Sequence, residues 1–345
     1  MKAALFGYYG EHNFGDDLMA VIFSRFLRQC NIEFSVYKLH NRDTELNGST
    51  VADSLESLLF EKDVVIYGGG GVLCDMARTE RYQAERRHLV NLAKQKGIPV
   101  YGISLGGDGS QPRNMLPFLK EFLQSVSYMS VRNNQDVHWV KKVNTQIKVD
   151  YFSDIVWQTS ACFPRQRKDN QRLLIGIDIH AAPFIESRAI YVPVLLSIIA
   201  RIRRDIDFVI FGVLGKKHNI ARLKLLFGHA KNIRYHQFDR IDSDVDALSS
   251  LDLLISTRLH TGVACMSYGI PFVSLFGASK TKLFLDNLHL SSVYYENRNI
   301  MNICSKLLSP SRLLRFLENY MFPELNTLQQ DSLGNFEMLK TYLFK

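Results

Sequence analysis

The sequence predicts an α/β protein built of two Rossmann-like domains facing a central cleft. Three observations carry that expectation. Short apolar runs alternate with longer amphipathic segments, the strand, helix, strand spacing of parallel βαβ units. The series occurs twice, with no detectable sequence repeat between its halves. The length of 345 residues also suits two domains of roughly 100–200 residues each, large enough to bury separate cores.

In the first half the apolar runs predict strands at 3–7, 33–39, 63–67, 99–104 and 128–131. Helix-like stretches such as 16–30 and 80–96 lie between them. Residues 163–172 are polar and basic, contain Pro164 and show no periodicity, as expected of a linker. The second series predicts strands at 173–178, 207–212, 233–235, 251–256 and 271–276. After Pro310 the tail reads as two helices, 311–321 and 325–344, separated by Pro323. The expected organisation is therefore one domain over 1–162, a second over 173–309, and helices over 310–345 that pack back on the first domain.

Composition narrows the function classes. An apolar fraction of 46%, 21 Gly, 9 Pro and no low-complexity tract exclude disordered and collagen-like chains. The longest apolar candidate, 191–200, is about half the ~20 residues needed to span a bilayer and contains Pro193. The apolar stretch at the start ends at Gly7, too short for the core of a secretory signal, so a cytoplasmic location is expected. Five scattered cysteines, Cys30, Cys74, Cys162, Cys265 and Cys304, form no CxxC and no zinc-finger spacing. They read as reduced, mostly buried thiols, with no structural metal.

The net charge of +8 is modest, but basic residues cluster at Arg78, Arg81, Arg86 and Arg87, at Arg201, Arg203 and Arg204, and at Lys216 and Lys217. Such clusters either suit an anionic partner, such as a phosphorylated substrate or an anionic membrane surface, or form ordinary solvated helix faces. Nucleic acid is not expected, because no zinc finger, RRM-type motif or basic stripe with interleaved aromatics is present.

Four loops carry candidate chemistry. The first, 7–17, reads GYYGEHNFGDD, directly after a strand and opening a helix. Its glycines, Gly15 among them, and the helix N-terminus favour an approaching anion or a capping carboxylate, yet the spacing is not the dinucleotide fingerprint. Either Asp16 is the N-cap of the helix, or one of Asp16 and Asp17 projects into the cleft as an acid/base while the other caps. The second loop, Gly68 to Gly71, permits close approach of a ligand or of another backbone, and Gly69 and Gly70 lie at its centre. Asp75 follows one helical turn later. Third, Arg132 in SVRNN and Asp154 in FSD stand at strand ends. Arg132 either holds a carboxylate or phosphate, or forms a structural ion pair with Asp154 or another acid.

The fourth loop, STRLHTG at 256–262, is the most informative. Arg258 and His260 stand two apart, which in extended chain places both on one side, beside helix N–H groups. Twenty residues later FGASK ends in Lys280, repeating the order of strand end, small loop and cation. Arg, His and Lys are thereby offered to one anionic group.

Taken together, GYYGEHNFGDD, GGGG at 68–71, YGISLGG at 101–107, SVRNN at 130–134, FSD at 152–154, STRLHTGVACMSYGIPFVSL at 256–275 and Lys280 resemble the polysaccharide pyruvyl transferase family. The matching segments spread in order over about residues 1–290. The resemblance implies the architecture of two-domain GT-B glycosyltransferases, with the acceptor on the first domain and the donor on the second. It also implies transfer of the pyruvyl group of phosphoenolpyruvate onto two hydroxyls of a sugar, giving a cyclic ketal and phosphate. By that resemblance Asp16 matches the acid of the first loop, with Asn13 and Gly15 beside it. Arg132 matches the arginine after the fifth strand, and Arg258, His260 and Lys280 match the cationic donor side. Two departures weaken Asp17 and Asn133 as functional residues, since the family often carries Glu at the first position and an acid at the second.

The residue types fit that chemistry independently. Arg132, Arg258, Lys280 and a helix N-terminus can neutralise a carboxylate and a phosphate, and Asp16 with His260 can divide the acid and base roles. No step demands a metal or other cofactor. The implied partners are phosphoenolpyruvate and a glycan or lipid-linked saccharide, with the basic clusters and tail helices contacting the inner membrane face. Two readings compete: a GT-B glycosyltransferase using a sugar nucleotide, with Asp252 or Glu296 recruited to it, and a non-catalytic sugar-binding protein of polysaccharide assembly.

Overall fold

The computed structural model describes all residues except 12, 40–49, 74–78, 110–115, 166–171, 181–187, 213–216, 321, 323 and 345, and omits the side chains of 79–82, 116 and 217–219. Cys74, Asp75, Arg78, Lys216, Met321, Pro323 and most of the 163–172 stretch therefore lie outside the described residues, as do the Arg81 and Lys217 side chains. The chain divides into two compact units, Met1–Gln158 with Thr327–Lys345, and Thr159–Asn326.

The first unit is a seven-stranded sheet in the order β3-β2-β1-β4-β5-β6-β7. Its strands are β1 Lys2–Phe6, β2 Glu33–Tyr37, β3 Thr50–Ala52, β4 Val64–Gly68, β5 Val100–Leu105, β6 Tyr128–Val131 and β7 Val149–Tyr151. Every pairing is parallel, so all the strands leave the sheet at one edge. Continuous apolar runs such as the fully buried VVIYG of β4 suit strands covered on both faces by helices. Three aromatic rings tie the sheet centre together, Phe6 lying 5.1 Å from both Tyr37 and Tyr67. β3 has only three residues, too few for an apolar run to reveal it in the sequence.

Between β5 and β6 the register slips after Gly102, where Ser104 takes the left-handed φ of 56°. This irregularity turns the Ser104 side chain towards the end of the sheet, where its Oγ accepts from Ile155 N at 3.2 Å.

The last helix, Leu325–Leu343, belongs to this unit and is fixed by a polar seam. Asn335 accepts from Ser130 Oγ at 2.6 Å and donates to the Ser153 carbonyl at 2.9 Å, linking the ends of β6 and β7. Asp331 accepts from both the backbone N–H and the hydroxyl of Ser153, at 2.6 and 2.7 Å. Phe336 stacks on Phe26 at 4.4 Å, and Gly334 lies where a Cβ would come within 2.3 Å of the Phe152 ring.

The second unit repeats the plan in six parallel strands, ordered β10-β9-β8-β11-β12-β13. They are β8 Leu174–Asp178, β9 Asp207–Gly212, β10 Ile233–Gln237, β11 Leu253–Ser256, β12 Phe272–Leu275 and the two-residue β13 Tyr294–Tyr295. The helix Pro310–Glu318 belongs to this unit, its start favoured by Pro310 in the first turn.

In both sheets the strand order reverses beside the first strand, between β1 and β4 and between β8 and β11. At such a switch point the loops at the carboxyl ends diverge to either face and leave a crevice for a ligand.

Asn335→Ala removes two of the bonds that join the ends of β6 and β7 to the last helix and strands buried partners. The expected cost is about 2–3 kcal/mol, read as a lower urea midpoint for the first unit. An unchanged midpoint would show that the Asp331 bonds and the aromatic packing hold the helix without Asn335.

Candidate functional site

In the first unit the site residues gather around the β1/β4 switch point. Asn13 is the N-cap of the helix Phe14–Gln29, its side chain accepting from Gly15 N at 3.2 Å. The capping role that the sequence left open for Asp16 thus falls to Asn13. Asp16 occupies the first turn, takes a hydrogen bond from Asn13 Nδ2 at 2.5 Å and is buried. Asp17, fully buried, accepts from Gly10 N at 2.8 Å and pins the loop. The two carboxylates therefore do different work: Asp17 fixes the backbone, and Asp16 lies against the glycine loop.

Gly69 and Gly70 have φ of +70° and +88°, where a side chain would be strained. A Cβ on Gly69 would strike Met19 Sδ at 2.2 Å, whereas one on Gly70 would stand 3.5 Å from Asp16 Oδ1. Gly69 is needed for packing, and Gly70 keeps the space beside the carboxylate open. The Tyr9 hydroxyl donates to the Gly68 carbonyl at 2.6 Å, and burial, reinforced by Asp16, pushes its phenol well above its usual pKa, so it stays a donor.

Arg132 follows β6 and pairs with Asp154 after β7, Nη1 to Oδ2 at 2.8 Å, with side chains only 4% and 5% exposed. The ion-pair alternative raised by the sequence is thus realised, though it does not by itself decide whether Arg132 also meets a ligand. Gly106 admits the arginine, since a Cβ there would come within 2.0 Å of its Nε. Asn133 donates to the Gly107 carbonyl at 3.0 Å and to Asp136 at 3.1 Å. Asp136 also accepts from Gly107 N and Trp139 Nε1, and burial raises its carboxyl above the ordinary value despite those bonds.

In the second unit the centre is Asp178, at the end of β8, which sequence reading did not single out. It is fully buried and accepts at Oδ2 from Ser256 Oγ (2.9 Å) and Thr261 Oγ1 (2.8 Å). Its Oδ1 lies 3.6 Å from Arg258 Nε. Its only sequence signal was a charge ending an apolar run.

Arg258 is the N-cap residue of the helix Leu259–Met266, with extended φ and ψ of −111° and 135°. His260 is already in the first helical turn and is buried, so the extended-chain alternation expected for the pair does not apply. Thr261, a turn along the same helix, shares Asp178 with Ser256. The Arg258 guanidinium lies 5.7 Å over the Phe238 ring, and its Nη2 is buried with no hydrogen-bond partner among the described residues.

The neighbouring strand β12, in register with β11 through Ser256 and Ser274, leads to Lys280 in the first turn of the helix Ser279–Asn287. On either side of Gly277 lie Ser274 and Thr281, buried hydroxyls without a hydrogen-bond partner among the described residues. Sequence reading missed both.

Of the clustered arginines, Arg86 is buried over the Tyr67 ring, Arg87 pairs with Glu121 at 2.7 Å, and Arg203 turns inward to Asp205 at 2.6 Å. These serve the fold. Among the described residues no group of three or more His, Cys, Asp or Glu is placed to hold a metal ion, and no helix is long and apolar enough to cross a membrane.

Two Rossmann-like sheets with site residues at their carboxyl edges define the GT-B class of α/β proteins, and solved structures bear this out. The chain aligns with a putative UDP-N-acetylglucosamine 2-epimerase from Listeria monocytogenes at TM-score 0.64 and 10% identity, over 93% of this chain and 91% of that one. It aligns with UDP-GlcNAc 2-epimerase from Neisseria meningitidis, bound to UDP-GlcNAc, at 0.62 and 15%, over 100% of both. With MnaA from S. aureus, in complex with UDP, the values are 0.65 and 12%, over 99% and 96%. At these identities the likeness is one of fold. No curated protein sequence is significantly similar to the chain. The family model for polysaccharide pyruvyl transferase matches residues 13–275, and the chain belongs to that family of transferases.

Asp154→Ala removes the carboxylate bonded to a buried guanidinium and is expected to destabilise the first unit by about 3–5 kcal/mol. Arg132→Met combined with Asp154→Leu should recover most of that loss in urea unfolding. If the double variant also keeps full transferase activity, the pair is purely structural; abolished activity in a stable double variant would place Arg132 in substrate binding.

Proposed function

We propose that the protein transfers the pyruvyl group of phosphoenolpyruvate onto two hydroxyls of a sugar in a surface polysaccharide or its lipid-linked precursor. The supporting observation is Arg258, a cation held by Asp178 at a switch point, beside a helix N-terminus, with a buried N–H left for a ligand. An orphaned charged donor of this kind fits a carboxylate or phosphate. Lys280 and the hydroxyls of Ser274 and Thr281 offer further donors from the adjacent loop. Family membership supplies the reaction class.

In the proposed reaction C3 of phosphoenolpyruvate takes a proton while a sugar hydroxyl oxygen attacks C2 and gives its own proton to a base. The bond between C2 and the phosphate oxygen then breaks, and phosphate leaves with the electron pair. The second hydroxyl attacks C2 and loses its proton, closing the ketal. One of the two hydroxyl protons balances that gained at C3, and the other is released with phosphate.

Asp16 is assigned as the base for the acceptor hydroxyl, Asn13 orienting it and Gly70 leaving room beside it. His260 is assigned to donate a proton or to support the departing phosphate. Arg132, Arg258 and Lys280 neutralise the anionic groups. As proposed, the reaction needs no metal or organic cofactor and takes place in the cytoplasm.

Thermal unfolding with phosphoenolpyruvate, beside a panel of sugar nucleotides, tests the donor. Selective binding at a hundredfold excess over Kd stabilises by about 2.7 kcal/mol. Stabilisation by phosphoenolpyruvate that is lost in both Arg258→Ala and His260→Ala is the expected result. Stabilisation by a sugar nucleotide alone would replace this reading with the glycosyltransferase one.

Asp16→Asn keeps the shape and the hydrogen bonding to Asn13 but removes the base. It should lower kcat about 10²–10⁴-fold while leaving the stabilisation by phosphoenolpyruvate intact. A variant with near-normal kcat would exclude Asp16 as the base.

A further inference from the structure

One helical layer of the second unit has an unusual surface. The helices Lys217–Phe227, Tyr191–Ile202 and Ile300–Leu308 pack side by side, with Tyr191–Ile202 in the middle. Their inward faces are ordinary core, including Val192, Leu196, Ile199, Ile303 and Leu307. Their outward faces are not ordinary solvent faces. Along the middle helix Tyr191, Val194, Ile198 and Ile202 recur at three- and four-residue spacing, so they share one side of it. All four are exposed, Ile202 to 61%. Leu225 on one neighbour and Met301 on the other are exposed to 85% and 65%.

The charge of the layer is one-sided. None of the three helical segments contains an Asp or Glu, whereas Lys217, Arg222, Lys224, Lys306 and Arg201, the last bonded to the Leu226 and Phe227 carbonyls, lie within them, and Arg203 and Arg204 follow. Asp205, just beyond, is paired to Arg203. On its flank the basic character continues into a pocket of about 630 Å³, where Lys306, Arg312 and Arg315 stand with Phe316 and Tyr320, and no carboxylate is in the lining. The Tyr320 hydroxyl bonds the backbone of Phe272, the first residue of β12, and so marks the amino end of the sheet. Arg258 and Lys280 follow the carboxyl ends, so this pocket is separate from the candidate site.

We propose that this helical layer docks the protein on an anionic lipid bilayer, Tyr191, Val194, Ile198, Ile202 and Leu225 entering the interface while the surrounding lysines and arginines meet the headgroup phosphates. A stripe of large apolar side chains in water is costly, and burial in the interface recovers that cost. Cations without intervening carboxylates add attraction to anionic lipid, which is screened by salt. The charge complementarity selects an anionic bilayer over a second copy of the chain, because two such faces opposed would bring like charges together. The expected attachment by the tail helices is thereby moved to a surface lying mostly before them. This inference is independent of which donor the enzyme uses.

The test is co-sedimentation of the full chain with vesicles of phosphatidylcholine alone and of phosphatidylcholine with phosphatidylglycerol. Binding to the anionic vesicles, weakened in 0.5 M salt, is expected, at low salt about tenfold or more above binding to neutral ones. Ile198→Glu and Leu225→Glu alter only exposed positions and should each reduce it about tenfold, as should Lys224→Glu, with unfolding midpoints unchanged. Absence of binding to the anionic vesicles, or binding indifferent to all three substitutions, would overturn the proposal. So would a dimer in sedimentation velocity that Ile198→Glu dissociates while vesicle binding is absent, which would assign the face to self-association.

Discussion

In an all-parallel sheet covered on both faces, a central strand has no exposed side on which to carry a polar residue, and every strand ends at the same edge. That constraint governs where chemistry can appear in both units. Asp16, Gly69, Gly70, Gly106, Arg132 and Asp154 all follow carboxyl ends of the first sheet, and Arg258, Thr261 and Lys280 follow those of the second, where Asp178 and Ser256 are the last strand residues. The helices that begin there turn their N–H groups towards the same edge. Residues widely separated in sequence, such as Asp178 and Arg258, are brought together because β8 and β11 are neighbours despite 74 residues between the end of one and the start of the other.

Burial then makes each charge at that edge expensive, and the two units resolve the expense differently. Arg132 and Asp154 form a close pair, almost wholly removed from water, at 2.8 Å. Asp154 is itself held by Val156 N at 3.0 Å, and the strand ends bearing both residues are braced by Asn335. Asp178 and Arg258 stand farther apart, at 3.6 Å between Nε and Oδ1, while two hydroxyls bond the other carboxylate oxygen. The Arg258 side chain is one-fifth exposed and its guanidinium lies over Phe238, with a buried N–H unused among the described residues. A loose pair of this kind keeps the arginine charged and oriented but does not exhaust its donors.

The sequence carried most of the scaffold and less of the wiring. Stretches rich in apolar residues located β1, β2, β4, β5, β6, β8, β9, β10, β11 and β12, because a strand in a covered parallel sheet is mostly apolar. The two- and three-residue strands β3, β7 and β13 left no comparable signal. Asp16 and Asn13 were both visible as candidates, yet which of them caps the helix depends on where the helix begins, which composition does not express. For Arg258 and His260 the residue types were legible and their spatial relation was not, since the helix begins one residue earlier than an extended reading allows. Asp178, Asn335, Ser274 and Thr281 were opaque for a common reason: each acquires its significance from partners, or from the lack of them, that only tertiary structure supplies.

Net charge was the least informative number in the chain, because +8 does not say where the charges lie. In the second unit the helix Ile241–Ser249 carries Asp242, Asp244 and Asp246, of which Asp244 is buried against His236 and Asp246 is exposed. The three helices with Tyr191–Ile202 at their centre carry no acid at all. A clustered arginine is equally uninformative until its surroundings are known: Arg203 is consumed by Asp205 and the Leu307 carbonyl, whereas Arg204, its neighbour, is exposed. The physical content therefore lies in the segregation of charge between helical layers, and in the coincidence of the acid-free layer with the exposed apolar stripe. Neither property alone distinguishes a binding face from ordinary surface. Apolar side chains scattered among mixed charges are common, and basic helices without exposed apolar residues are merely soluble. Their combination on adjoining helices favours a partner that is at once apolar and negatively charged, which is the chemistry of an anionic bilayer interface.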